Sequence, residues 1–153
     1  MRLTKQTNYA VRVLMYCAAN NGRLSHVPEI AKAYGISELF LFKVLKPLTN
    51  AGLVQTVRGR NGGIRLGRAA ENINLFDVVS VTEDGFLMAE CFEHSEPSDC
   101  PLIGGCSLNS ALTKALGSFF SVLRQHSIHD LIVSRADLGF LLGIDTRALR
   151  VQH

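Results

Sequence analysis

A mainly α chain with one small β-hairpin is the fold class that two observations predict. Apolar residues recur at helical spacing through most of the first fifty positions and again after position 106, and two short β-prone runs flank a Gly/Asn-rich tip between 53 and 66. A third observation, charge, divides the 153 residues into unlike halves. Residues 1–70 carry eleven Lys/Arg against two acids, a balance of +9, whereas 71–153 carry five against eleven, or −6; together they make the net +3. Such asymmetry implies that the first half meets a polyanion and the second does something else; the competing reading is a merely solvated basic face. A composition of 47% hydrophobic and 19% charged residues excludes wholesale disorder. No apolar run approaches the roughly 18–20 residues of a membrane span, so no membrane partner is expected. The start, MRLTKQTNYA, lacks the apolar stretch and cleavage site of a secretory signal. A cytoplasmic location is therefore expected, where four cysteines suit metal binding or redox sensing better than structural disulfides.

The first helix is expected between Leu3 and Asn20, with Ala10, Val13, Leu14 and Cys17 on one face and Asn20, Asn21 and Gly22 ending it. Cys17, on that apolar stripe, reads as packing before chemistry. Ser25 is expected to cap a short helix, with Pro28 and Glu29 in its first turn, that runs to Tyr34 and breaks at Gly35. Ser37 then caps a second helix from about Glu38 to Ala51, ended by Gly52. Short helix, Gly-containing turn and second helix make a helix-turn-helix pattern. Leu41, Val44, Leu45 and Leu48 form the inward stripe of its second helix, which leaves Leu39, Phe42, Lys43 and Lys46 on a face open to a DNA groove. Leu39 and Phe42 either touch thymine methyl groups or pack on the first helix. Pro47 removes one helical hydrogen bond, and a kink or loosening is expected there.

Leu53–Val57 and Ile64–Leu66 flank Arg58-Gly59-Arg60-Asn61-Gly62-Gly63, a hairpin whose arginines suit the negative potential of a minor groove. No G-x-x-x-x-G-K-[ST] motif accompanies these glycines, so nucleotide binding is not expected. A winged helix-turn-helix over 1–70 is the reading. A short helix follows from Leu75 to Thr82, with Asn74 as its cap. Within 71–106 lies a Gly/Pro-punctuated loop carrying Cys91, Cys100 and Cys106 at C-x8-C-x5-C spacing. Three thiolates on such a loop can converge on one inorganic centre, most readily an iron–sulfur cluster. Structural zinc, which prefers close C-x2–4-C pairs, a regulatory disulfide and inert thiols stay open as readings. No acid–base pair or nucleophile–base arrangement accompanies the cysteines, so neither an enzyme nor an organic substrate is expected. In 107–153, Ser107 is expected to cap a helix to about Gln125. Its stripe of Leu108, Ala111, Leu112, Ala115, Leu116, Phe119, Val122 and Leu123 needs a partner surface, either a second copy of the chain or its own winged domain. A further helix starts after Ser127, and Leu138–Ile144 reads as a packed tail.

The segments MRLTKQTNYAVR, AKAYGIS and AGLVQTVRGRNGGIRLG, together with the three-cysteine loop followed by LNSAL, resemble the small bacterial winged-helix regulators that carry iron–sulfur clusters. That group includes the iron–sulfur assembly regulator, the nitric-oxide-sensing repressor and the rhizobial iron regulator, and the likeness is greatest to the last. The resemblance spans nearly the whole chain. It implies a cytoplasmic homodimer acting as a repressor on a double-stranded DNA operator in iron homeostasis. Cys91, Cys100 and Cys106 would be the ligands of a [4Fe–4S] cluster in preference to [2Fe–2S]. The implied DNA-contacting set is Thr4, Lys5, Ser37, Leu39, Phe42, Lys43, Lys46, Arg58, Arg60, Asn61 and Gly62. Four positions depart from the pattern: Asn8 and Asn109 stand where some relatives supply a fourth ligand from an acid or a histidine, and neither amide is a good iron ligand; Leu39 and Phe42 replace polar residues that read bases in some relatives, so the target sequence does not carry over. A nitric-oxide or redox sensor using the same centre is the alternative function.

Overall fold

The computed structural model describes residues 2–20, 23–89, 92, 100–101, 105–135 and 137–144. Helix α1 spans Lys5–Ala19, and the Thr4 side chain caps it by accepting the Thr7 N–H. Helix α2 spans Val27–Tyr34 and stops at Gly35, whose left-handed backbone (φ 64°) returns the chain toward α3. Helix α3, Glu38–Asn50, starts as expected at Ser37, whose hydroxyl accepts the Phe40 N–H at 3.2 Å. It runs through Pro47 without ending. Only one hydrogen bond is forfeited, and the Pro47 carbonyl still accepts the Ala51 N–H at 3.0 Å.

The hairpin pairs β1 (Val54–Val57) with β2 (Gly63–Leu66), antiparallel, in the register Val54↔Leu66 to Val57↔Gly63. Ser25 corrects the sequence reading. It does not cap α2, because its backbone pairs with Ile64 through two 2.8 Å bonds; His26 occupies the cap position without a side-chain bond. The buried Ser25 hydroxyl instead accepts from Asn20 Nδ2 at 3.0 Å. The turn after α1 is thus laced to the tip-proximal end of β2.

After a 3-10 turn at Ala70–Asn72, α4 covers Leu75–Thr82 behind a capping box formed by Asn74 and Asp77. Helix α5 covers Ser107–Gln125. Ser107 is its first residue and not its cap; Cys106 holds the cap position, its carbonyl accepting from Ser110 at 3.2 Å. No residue of α5 is buried, and Leu108 and Val122 are more than half exposed. One side of α5 meets α4 and the segment that follows it through rings: Phe120 lies 5.1 Å from Phe76 of α4 and 4.9 Å from Phe86 beyond it, and the Arg124 guanidinium sits 3.6 Å from the Phe76 centroid.

Helix α6, Ile128–Val133, then returns to α1. The Ile128 N–H donates to the Ile73 carbonyl at 2.8 Å, and the Leu75 N–H donates to His126 at 2.9 Å. Ile128 is fully buried in the core built by Val13, Leu14, Leu41, Val44, Leu48 and Ile73. Each such side chain removed from water contributes about 1.5–3 kcal/mol. The expected packed tail is only partly packed. Helix α7 (Leu138–Leu141) is four residues long and can bury one side only: Ile144 enters the core, whereas Phe140 and Leu141 stay exposed.

Candidate nucleic-acid interface and cysteine segment

Helical spacing on α3 separates two functions. Leu41, Val44, Leu45 and Leu48 are buried as expected, and this turns Leu39 and Phe42 outward, 72% and 55% exposed. Neither packs on α1; Phe40 does so instead, edge-on to Tyr9 at 5.5 Å. Lys43 and Lys46 are exposed on the same face. Between that face and the hairpin runs an open groove of about 650 Å³, which brings together Phe42, Lys46, Arg58 and Gly62 with His26 and Asn50. A second groove, about 550 Å³, gathers Thr4, Lys5 and Ser37 at the start of α1 and the turn before α3. A third, about 340 Å³, joins Thr4 to Lys43 and Lys46. Leu39, Arg60 and Asn61 lie exposed outside these grooves.

Charge is distributed unevenly over this surface. Arg65 donates to Gln55 across the hairpin at 2.9 Å, and Arg68 pairs with Asp77 at 3.2 Å. Among the described residues Lys5, Lys43, Lys46, Arg58 and Arg60 make no ion pair. Exposed cations without acid partners on a convex helix and an adjoining hairpin form a surface that phosphates can enter without displacing existing bonds. At the hairpin tip, glycine is a steric requirement: a Cβ on Gly62 would lie 2.5 Å from the Val57 carbonyl oxygen.

The decisive comparison covers most of the molecule. A family model, Rrf2, described as an iron-dependent transcriptional regulator, matches residues 3–134. The chain belongs to the Rrf2 family. This family consists of transcription regulators and not enzymes, and the Rrf2 chain is a DNA-binding regulator of transcription. It is 67% identical over 145 residues to Protein aau3 of Rhizobium meliloti (strain 1021), covering 95% of this chain and 94% of that protein. It is 41% identical over 143 residues to the HTH-type transcriptional regulator NsrR of Bacillus subtilis (strain 168), covering 93% and 97%. Among solved structures, CymR (YrzC), the global cysteine regulator of B. subtilis, matches with a TM-score of 0.73 at 22% identity over 88% of this chain and 98% of that one. The T. potens IscR structure gives 0.69 at 25% identity over 88% of each. The expected helical fold with a two-stranded wing is that of these Rrf2 structures.

The cysteines divide by environment. Cys17 is 3% exposed, and burial pushes its thiol up to about 12, only partly opposed by a hydrogen bond with Ser25; it packs, as its place on the α1 stripe implied. Cys100 is exposed and Cys106 half-buried at the head of α5, its side chain unused in capping. Cys91 lies outside the described residues, and among the described ones no group of His, Cys, Asp or Glu is gathered around a metal position. Asn8 is exposed on the first turns of α1. No helix among the described residues is long and apolar enough to cross a membrane.

Sequence reasoning missed two features of the Rrf2 surface. Thr49 and Asn50 line the hairpin groove, and their spacing from Phe42 and Lys46 would have placed them on that face. Glu83 gave no signal at all, since its partners stand some eighty residues away. Its carboxylate accepts the Thr4 N–H at 2.8 Å, the Thr4 hydroxyl at 3.1 Å and, closer still, the Thr7 hydroxyl. Partial burial works against its charge, and the bonds from Thr7 and Thr4 outweigh it, so the carboxyl titrates below its ordinary value.

Proposed function

We propose that the protein is a cytoplasmic, homodimeric repressor of the rhizobial iron regulator type, whose grip on an operator duplex is set by an iron–sulfur cluster and hence by iron supply. The observation that carries the reading is the unpaired cationic face shared by α3 and the hairpin, in a chain whose acidic half bears three cysteines. Leu39, Phe42 and Lys43 would read base edges from the N-terminal part of α3. Thr4, Lys5, Ser37, Lys46 and the Arg58–Gly62 tip would bind phosphates and the minor groove. A second copy of α5 would cover the exposed stripe and set two such faces on successive half-sites.

The donor set fits the cluster: three thiols, the softest side-chain donors, with Cys106 at a helix start and not engaged in capping. Cys91, Cys100 and Cys106 would hold it, as [4Fe–4S] in preference to [2Fe–2S]. When bound, it supplies iron–thiolate bonds that exist only while iron is available. The chain's own part would be to couple the cysteine-bearing segment to the winged domain, so that the DNA-competent arrangement is favoured while the cluster is held. The domain division of 1–70, 71–106 and 107–153 follows these roles. A nitric-oxide-sensing reading is favoured by the NsrR relatives, which are 39–43% identical along nearly their whole length.

Anaerobic purification followed by visible absorption and chelator titration tests the proposal. A brown dimer that bleaches with the chelator and loses DNA affinity supports iron sensing. A cluster that resists the chelator yet reacts with nitric oxide moves the reading to the second function. A colourless protein that binds DNA unaided refutes both. Cys91→Ala and Cys106→Ala should fold and bind DNA as the chelated form does.

A further inference from the structure

We propose that Glu83 is a positioning residue that clamps the DNA-facing start of α1 and relays to it any change in the cysteine-bearing segment; the relay half rests on the cluster reading above. The clamp is built from three threonines and one carboxylate. Thr7 and Thr82 are buried, 1% and 9% exposed, with their hydroxyls 2.8 Å apart, and Thr82 also reaches the Val78 carbonyl at 2.9 Å. Thr4 and Thr7 each have one hydroxyl proton, and both protons point at Glu83. An acceptor with no proton of its own closes that arrangement, and a carboxylate is one. Valine in place of Thr7 or Thr82 would fill the same space without a hydroxyl, so the polar set is costly to bury unless every member is paired. Among the described residues no buried side-chain polar atom lacks a partner.

Position gives the clamp its consequence. Thr4 caps α1 and lies in the same groove as Lys43 and Lys46, with Lys5 the next residue. Holding Thr4 by both its N–H and its hydroxyl fixes the backbone from which the Lys5 side chain extends. On the other side Glu83 is the C-cap of α4, where the chain leaves the helix on its way to Cys91. Asp84, one residue on, lines the same groove as Thr4 and the two lysines. A pull on the segment beyond Glu83 is thus delivered to the first turn of α1 without passing through the core.

The test uses the full-length protein and a duplex that the wild-type protein itself selects from a random-sequence pool. Glu83→Ala is expected to weaken binding about five- to tenfold near 0.1 M salt and to lower the salt slope by about one, the signature of one lost phosphate contact. Glu83→Gln, which keeps an acceptor oxygen, recovers most of the affinity. Lys5→Ala adds no further loss to Glu83→Ala, whereas Arg60→Ala adds its full loss, a selectivity that general destabilisation would not produce. Thr7→Val, which keeps the shape and removes the hydroxyl, reproduces Glu83→Ala should the alanine variant fold poorly. Wild-type affinity in Glu83→Ala, or losses that multiply with Lys5→Ala, overturns the clamp. For the relay, the ratio of affinities before and after chelation falls to about one in Glu83→Ala while the visible absorption of the cluster is unchanged; a ratio kept at the wild-type value overturns the relay. A wild-type protein whose DNA binding ignores the chelator overturns both the cluster reading and the relay, and the Lys5 comparison still decides the clamp.

Discussion

Replacing Ile128 by alanine tests whether the acidic half stabilises the basic one. Ile128 is fully buried in one core cluster with residues of α1 and α3, yet it belongs to α6, more than fifty residues beyond the hairpin. The change deletes three carbons, worth roughly 2–2.5 kcal/mol in transfer free energy. With the cavity left behind, the loss should reach about 3–4 kcal/mol. That is a large fraction of the roughly 5–15 kcal/mol that holds a domain folded. At about 2–4 °C per kcal/mol for a chain of this size, Tm should fall by about 6–16 °C. The assay has a built-in reporter: the chain has no Trp and its three tyrosines, Tyr9, Tyr16 and Tyr34, all lie in the first half. Tyrosine fluorescence and far-UV circular dichroism, followed at one fixed protomer concentration, should therefore shift together. Val133→Ala, at a position 64% exposed on the same helix, should stay within about 0.5 kcal/mol of wild type. A tyrosine transition left in place while helical signal is lost in a separate early step would refute the shared core.

Three further outcomes follow from single residues. Gly62→Ala forces the hairpin tip open, because its Cβ would meet the backbone carbonyl oxygens of Val57 and Gly59 at 2.5 and 2.8 Å; DNA affinity should drop by about tenfold, equivalent to roughly 1.4 kcal/mol, with little change in melting, and unchanged binding would remove the tip from the interface. Cys17, with its thiol near 12, should resist iodoacetamide at pH 8 until denaturant is added, as read by mass spectrometry; labelling of the native protein at the rate of a free thiol would contradict the burial. The lowered Glu83 carboxyl contributes stability that is full above its unfolded pKa and is lost as pH falls through the lower folded value; the stability difference between wild type and Glu83→Gln should therefore shrink in acid, and parallel acid curves would rule the assignment out.

Most of the fold was legible because its determinants are local. The stripe of Leu41, Val44, Leu45 and Leu48, the Ser37 and Asn74 caps and the Gly-rich hairpin each announce themselves within a few residues. The errors have separate physical origins. Ser25 has the chemistry of a cap, but its backbone is taken by Ile64, a partner thirty-nine positions away that no local rule sees. Phe140 and Leu141 look like core residues by composition, yet a four-residue helix cannot turn all its apolar side chains inward. The candidate DNA face was readable by the same periodicity that identified the core, since what the inward stripe leaves over must face out. The Glu83 clamp was invisible because hydrogen bonds spanning nearly eighty residues leave no spacing pattern behind.

The Ser25–Ile64 bridge has a mechanical consequence. A two-stranded ribbon projecting alone would pivot at its base, and its arginines would sweep a wide arc. Here the strand entering from the tip is stitched at once to the turn between α1 and α2, and Gly63 lies so near that a Cβ on it would stand 2.8 Å from the Ser25 oxygen. The pivot is thereby moved outward, and the freedom to adjust is confined to the few residues from Arg58 to Gly62. The hairpin is thus tied to the helical body close to its tip, and the spacing between α3 and the two strands is set by contacts within the chain.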